Sequence, residues 1–208
     1  GNLYHRLGRA EAALKAYETA VQLAPDVIAP RVNASMLEVR RGNYSKAEQH
    51  LRKALEAEPD NPEANFNMGL LTAELGRRSE AEKYLRRARK GSPDFAEAAF
   101  NLGILLAESK PHEGLKWSRK AAELRPEQPR YAYTLAFYLD RSDLKTEAVT
   151  TLNELISRYP EYSDAYALLG SIYERQGQIE KAQAIYRRAA SIRTLPAAER
   201  KNFQAKAQ

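Results

Sequence analysis

The feature that most limits what this chain can fold into is a 34-residue period. Pro25, Pro59 and Pro93 stand 34 apart, Pro126 follows after 33, and Pro160 after another 34. Gly8, Gly42 and Gly76 keep the same spacing, and Asp143 and Gly177 continue it. Two rows of small residues repeat in step: Ala13, Ala47, Ala81, Ala148 and Ala182, then Ala20, Ala54, Ala88 and Ala121. Several independent positions sharing one period of this length point to a stack of helix–turn–helix units.

Pro62–Pro93 shows the unit most clearly. A first amphipathic helix carries Phe66, Met68, Leu70, Leu71 and Leu75; a second carries Ala81, Tyr84, Leu85 and Ala88. Gly76 is expected to end the first helix in the left-handed conformation that a residue without Cβ adopts freely. Gly69 lies mid-helix, where glycine costs about 1 kcal/mol relative to alanine. Close approach to the second helix, opposite Ala81, is the expected compensation. One helix pair cannot bury both its faces, so each unit needs neighbours of its own kind.

Composition narrows the function classes. There is no cysteine, which excludes disulfides, thiolate nucleophiles and cysteine-ligated metal within these residues. No apolar run approaches the roughly 20 residues of a membrane span, so no membrane insertion is expected, and no signal-peptide pattern opens the sequence. Net charge is +6, from 33 basic and 27 acidic residues. That balance favours acidic partners weakly and does not indicate nucleic acid.

The triplets Asn67–Gly69 (NMG), Asn101–Gly103 (NLG) and Leu168–Gly170 (LLG), with the alanine of each second helix and the closing proline, resemble the tetratricopeptide repeat family. The resemblance implies an all-α fold, a right-handed α-solenoid of antiparallel helix pairs across residues 1–194. A partial repeat occupies 1–27, full repeats start near 28, 62, 96, 129 and 163, and residues 195–208 form a capping helix with Phe203 on its apolar side. Gly1 stands where Gly69 and Gly103 stand, so the first helix of the first repeat is expected to be incomplete and the chain to be part of a longer protein. The repeat from 96 departs from the pattern. Its turn is one residue short, Pro111 falls in a first helical turn, Gly114 replaces alanine, and Ser118 takes a slot held elsewhere by Leu51, Leu85 or Leu152. Its second helix is expected to pack less well, with Trp117 covering the gap.

In such arrays the first helix of each pair lines the concave side. One stripe of these helices reads Val32, Phe66, Phe100 and Tyr133; one turn later come Met36, Leu70, Ile104 and Phe137. Asn33, Asn67 and Asn101 run between them, each 34 apart. An asparagine amide offers a donor and an acceptor, so a column of them can pair with an extended backbone. The column resembles the asparagine ladder of the tetratricopeptide superhelix in O-linked N-acetylglucosamine transferase, although Thr134 and Leu168 interrupt it. The expected peptide-binding groove is therefore Asn33, Asn67, Asn101, Phe66, Phe100, Tyr133, Leu70, Ile104 and Phe137. The competing reading is packing between neighbouring repeats. A carboxylate clamp for acidic chaperone tails does not fit: Asn2 and Asn33 could serve, but Glu63 and Asn67 stand where lysine and arginine are needed.

The second helices carry a basic stripe, Arg52-Lys53, Arg86-Arg87, Arg119-Lys120 and Arg187-Arg188, broken at Asn153-Glu154. Interleaved acids, with Glu48 to Arg52 and Glu82 to Arg86 at i,i+4, favour a solvated face. His5, His50 and His112 fall in different repeats without metal-ligand spacing. No catalytic residues, metal or cofactor are expected. The function predicted is protein–protein interaction: capture of a peptide segment, or of a partner protein's helix, in the concave groove. A structural spacer or a self-associating scaffold that forms homo-oligomers, and a regulatory appendage of a larger enzyme, remain the alternatives.

Overall fold

The structure, a computed structural model, describes residues 1–6 and 8–208, with the backbone alone for His5 and Arg6. Among these residues the chain forms thirteen helices and no strand. In sequence order they are α1 (Asn2–Arg6) and α2 (Ala10–Leu23), α3 (Ala29–Arg40) and α4 (Tyr44–Ala57), α5 (Pro62–Glu74) and α6 (Arg78–Gly91), and α7 (Ala96–Leu106) and α8 (Pro111–Leu124). α9 (Pro129–Arg141) and α10 (Lys145–Arg158), α11 (Ser163–Arg175) and α12 (Ile179–Ala190), and a last helix α13 (Ala197–Lys206) complete the chain. The architecture is an all-α solenoid of helix pairs. The chain divides into two compact units, Gly1–Leu105 and Leu106–Gln208. The division falls at the end of α7, beside the turn that is one residue short.

The turns explain the glycine row. Gly8, Gly42, Gly76 and Gly177 have φ between 69° and 76°, and Asp143 takes their place with φ of 60°. Each such residue lets the chain fold back onto the helix it leaves. Arg77 N–H donates to the Thr72 carbonyl at 2.8 Å and Gly76 N–H to Ala73 at 3.0 Å. The same two bonds recur as Asn43 to Glu38 and Gly42 to Val39, Leu144 to Leu139 and Asp143 to Asp140, and Gln178 to Tyr173 and Gly177 to Glu174. These bonds satisfy carbonyls that a helix end leaves open. The turn before α8 runs differently, with Lys110 N–H on the Leu106 carbonyl at 2.8 Å.

The small residues of the repeat are buried where helices pack. Ala13, Ala47, Ala81 and Ala148 are fully buried and Ala182 nearly so, whereas Ala20 of the second row is only half-buried. Gly69 is buried on α5, but the residue it meets is Leu85 rather than Ala81. A Cβ at Gly69 would stand 2.8 Å from Leu85 Cγ, and one at Gly170 would stand 2.2 Å from the Tyr186 ring. Both contacts join residues 16 apart.

In unit 1, Val32, Leu51, Met68 and Leu71 pack in one core cluster, and Ala13, Tyr17, Ala34 and Leu37 in another. In unit 2 one cluster runs from Leu115 through Leu152 and Tyr166 to Tyr186 and Phe203. α13 covers its end. The Phe203 ring stacks on Tyr186 at 6.2 Å, and Leu195 is buried beside them. Burying a side chain such as Phe203 stabilises by about 1.5–3 kcal/mol. The irregular α8 stays packed: Gly114, Leu115 and Ser118 are buried, and the Ser118 hydroxyl donates to the Gly114 carbonyl at 3.0 Å. Trp117 is half-buried.

Ion pairs tie successive repeats. Arg77 reaches Glu48 of the preceding repeat at 2.7 Å, while Arg52 meets the same carboxylate at 2.5 Å within α4. Arg86 pairs with Glu82 at 2.8 Å, as its spacing implies. The hydrogen bond from Arg77, aided by Arg52 and opposed by burial, holds the Glu48 carboxyl below the ordinary carboxylate range.

Three outcomes follow for stability. Asp143→Gly removes the cost of a left-handed residue with a side chain and raises the urea midpoint by the equivalent of about 0.5–1 kcal/mol; a lower midpoint contradicts this account of the turn. Gly170→Ala forces Tyr186 aside and costs about 1–3 kcal/mol, read as a fall in thermal midpoint. Because the folded pKa of Glu48 is depressed, its contribution to stability is present above the unfolded carboxylate pKa and fades as pH falls through the folded value. Arg77→Gln should therefore raise the Glu48 pKa, seen by NMR titration, and flatten the loss of stability on acidification.

Candidate functional site

The two expected stripes lie on the same helices, one turn apart, and the structure separates them by depth. Residues at i and i+4 share a helix face, but the first stripe is the deeper. Val32 and Phe100 are buried, at 4% and 5% exposure, and Phe66 and Tyr133 are half-buried. In the second stripe Met36, Ile104 and Phe137 are exposed at 40%, 39% and 37%, with Leu70 half-buried.

The deeper rings have partners that sequence reasoning did not single out. Phe66 packs on Phe95 with ring centroids 4.8 Å apart, and Tyr133 on Tyr162 at 5.7 Å. Both partners follow 29 residues later, just ahead of a first helix, and that repeated spacing was available as a signal. Burial pushes the Tyr133 and Tyr162 hydroxyls above the ordinary tyrosine range, which keeps them neutral. Phe137, in unit 2, has Tyr138 at its edge and the Arg141 guanidinium 5.9 Å from its ring centroid.

The asparagine column lies wholly in unit 1. Asn67 Nδ2 donates to the Glu63 carbonyl at 2.9 Å, and Asn101 Nδ2 to the Glu97 carbonyl at 2.8 Å, each one turn back in its own helix. That bond fixes the amide rotation and leaves each Oδ1 without a donor among the described residues. Asn33 differs: its Nδ2 donates to Asn2 Oδ1 at 3.2 Å, an oxygen that also accepts from the Tyr17 hydroxyl at 2.6 Å.

Asn67 and Asn101 open onto a cleft of about 550 Å³. Met36 and Val39 of α3, Leu70 and Leu71 of α5, and Leu51 of α4 give it apolar walls. Arg40 and Glu74, one repeat apart, place opposite charges on its lining. Met36 was read in the inward stripe without being placed in the expected site, and Val39, Arg40, Leu51, Leu71 and Glu74 were outside it; the 34-residue spacing of Arg40 to Glu74 was the legible sign. Of the expected residues, the cleft brings together Asn67, Leu70 and Asn101. Asn33, Phe66, Phe100 and Ile104 of unit 1 do not line it, and Tyr133 and Phe137 belong to unit 2. An apolar trough with oriented amide oxygens suits a polypeptide segment that has unpaired N–H groups.

The histidines do not converge. His50 is half-buried on α4 and His112 is exposed at the start of α8, while the side chain of His5 lies outside the described residues. Among the described residues no group of three His, Cys, Asp or Glu side chains could hold a metal ion, and no helix is long and apolar enough to cross a membrane.

Comparison with solved structures supports the architecture. YrrB, a tetratricopeptide repeat protein with an unusual peptide-binding site, superposes with a TM-score of 0.74 at 19% identity, over 92% of this chain and 99% of its own. A tetratricopeptide repeat protein from Parabacteroides merdae gives 0.71 at 20% identity, over 98% and 81%. MamA from Desulfovibrio magneticus RS-1 gives 0.65 at 21% identity, over 75% and 89%. A comparison with curated proteins returns no match. Tetratricopeptide repeat models match residues 1–60, 38–102, 131–162 and 163–194. Together with the paired helices and their left-handed turns, these matches show that the chain belongs to the tetratricopeptide repeat family.

Proposed function

We propose that this protein is an interaction module that captures an extended segment of a partner polypeptide in the cleft of unit 1. The observation that carries this reading is the pair of oriented amide oxygens, Asn67 and Asn101, set in an apolar cleft. An extended segment has free backbone N–H groups to donate to them; a partner helix spends its own N–H groups internally. Met36, Leu70 and Leu71 would take an apolar side chain of the segment, and Arg40 and Glu74 would favour flanking charges. Phe66 and Phe100, half-buried and buried, do not line the cleft and are not assigned as its anchors. The likeness in fold to YrrB, described as having a peptide-binding site, is consistent with a groove of this kind.

Selection from a random peptide display library on the intact chain tests the proposal. Selected peptides should be apolar at one or two positions. The double variant Asn67→Ala, Asn101→Ala should weaken them about tenfold, the effect of losing hydrogen bonds worth about 1–2 kcal/mol. Leu70→Asp should abolish binding, and circular dichroism should show that helix content is kept. Peptides that bind all three chains equally would place the site elsewhere.

A further inference from the structure

A second cavity, of about 360 Å³, lies between α2, α3 and α4 and shares no lining residue with the cleft. Three helix faces converge on it. α4 presents Lys46, His50 and Lys53, spaced at i, i+4 and i+7 and therefore on one side of the helix. α3 presents Arg31 and Glu38, two turns apart, and α2 contributes Glu18.

Among the described residues, some cations of the second helices are paired and others, such as Arg87 and Arg187, are not; what sets this group apart is that three unpaired cations line one cavity. Arg52, Arg86, Arg119 and Lys120 each have an acidic partner. Among the described residues, Arg31, Lys46 and Lys53 have neither an ion pair nor a hydrogen-bond acceptor, and Arg31 Nε is buried without one. An N–H removed from water and left without an acceptor is costly. The carboxylates do not relieve it. Glu38 is buried, and its Oε2 accepts from Asn43 Nδ2 at 2.7 Å. Three cations thus face two carboxylates, one already engaged. Burial holds the His50 imidazole below its ordinary pKa, with Arg31 and Lys53 acting in the same direction and Glu38 and Glu18 opposing. It is present as a neutral N–H donor.

We propose that this cavity binds a phosphate group, free or as a monoester, with Arg31, Lys46 and Lys53 as its cations and His50 as a further donor. A carboxylate has two acceptor oxygens and one charge. A phosphate dianion brings more acceptors and twice the charge, matching several separate donors at once. The proposal is independent of the peptide cleft, because no residue is common to both.

The test is an NMR titration of the histidine ring signals of the intact chain with inorganic phosphate, at fixed pH, with chloride holding ionic strength constant. The expected result is a saturable shift of His50 with His112 unmoved, and a rise in the His50 pKa when the site is filled. Arg31→Gln and Lys53→Gln should each weaken saturation about tenfold. Arg52→Gln, which removes a cation already paired with Glu48, should leave it within about twofold. Circular dichroism establishes that each variant is folded. Saturation by O-phosphoserine as well as inorganic phosphate supports the proposal and admits a phosphorylated side chain as ligand. Saturation by inorganic phosphate alone supports it and assigns the free ion. A response reproduced by chloride, no saturable response, or one unchanged in both Arg31→Gln and Lys53→Gln overturns it.

Discussion

In two of the pairs, α5–α6 and α11–α12, the helices meet where the first presents no side chain. At Gly69 the space a Cβ would need is held by Leu85, and at Gly170 by the Tyr186 ring. A large side chain therefore lies directly on the opposing backbone, and the register of the pair is fixed by one contact in which volume cannot be redistributed. The rest of the packing depends on it. Once Gly69 faces inward, its neighbours Met68 and Leu71 are carried into the core. The residues a turn away are carried out. The buried alanines of the second helices let the next repeat approach as closely, so the face that one pair cannot hide is hidden by its neighbour. In unit 2 the sequence of neighbours stops, and Phe203 of α13 lies on Tyr186 instead.

This arrangement decides what could be read without coordinates. Left-handed turns need particular residues, so Gly42, Gly76 and Gly177 stood out, and Asp143 in the same row is the non-glycine residue that tolerates the conformation. The expectation that Gly69 would oppose Ala81 was one turn off. A repeat period identifies positions that are small, but antiparallel helices match positions by where they cross, and the period carries no information on the crossing point. The candidate site was legible to the same depth. Helical spacing placed Phe66 and Leu70, or Phe100 and Ile104, on one face; it did not say which of the two turns sinks. That depends on the Phe66–Phe95 contact and its counterpart Tyr133–Tyr162, which join separate elements. The direction of each asparagine amide depends on a bond to the carbonyl one turn back, and a column of asparagines reads the same whichever way the amides turn. The basic stripe is uniform as a sequence for a similar reason. Whether a lysine or arginine is paired is a matter of a few ångströms, and only the structure distinguishes Arg52 from Lys53.

α3 carries residues of both the cleft and the cavity of unit 1. Met36, Val39 and Arg40 turn to the cleft, and Arg31 and Glu38 to the cavity beside α4. At 3.6 residues per turn these two sets occupy different faces of the helix, with Ala34 and Leu37 buried between them. The residues that hold the fold overlap only in part with those that line the cleft and the cavity: Leu51 and Leu71 belong to the core as well as to the cleft wall, whereas Met36, Arg40 and Lys53 are exposed. Glycine, alanine and the turn positions are constrained by contact between helices and would be the same whatever the array binds. The outward row and the unpaired cations have no such constraint from packing. Replacing Met36 or Lys53 leaves the helix contacts intact, whereas replacing Gly69 does not. Any selectivity for a partner in unit 1 must then be written in the few side chains that the packing leaves free: the amide oxygens of Asn67 and Asn101 with their apolar surround, and the cationic set of Arg31, Lys46 and Lys53.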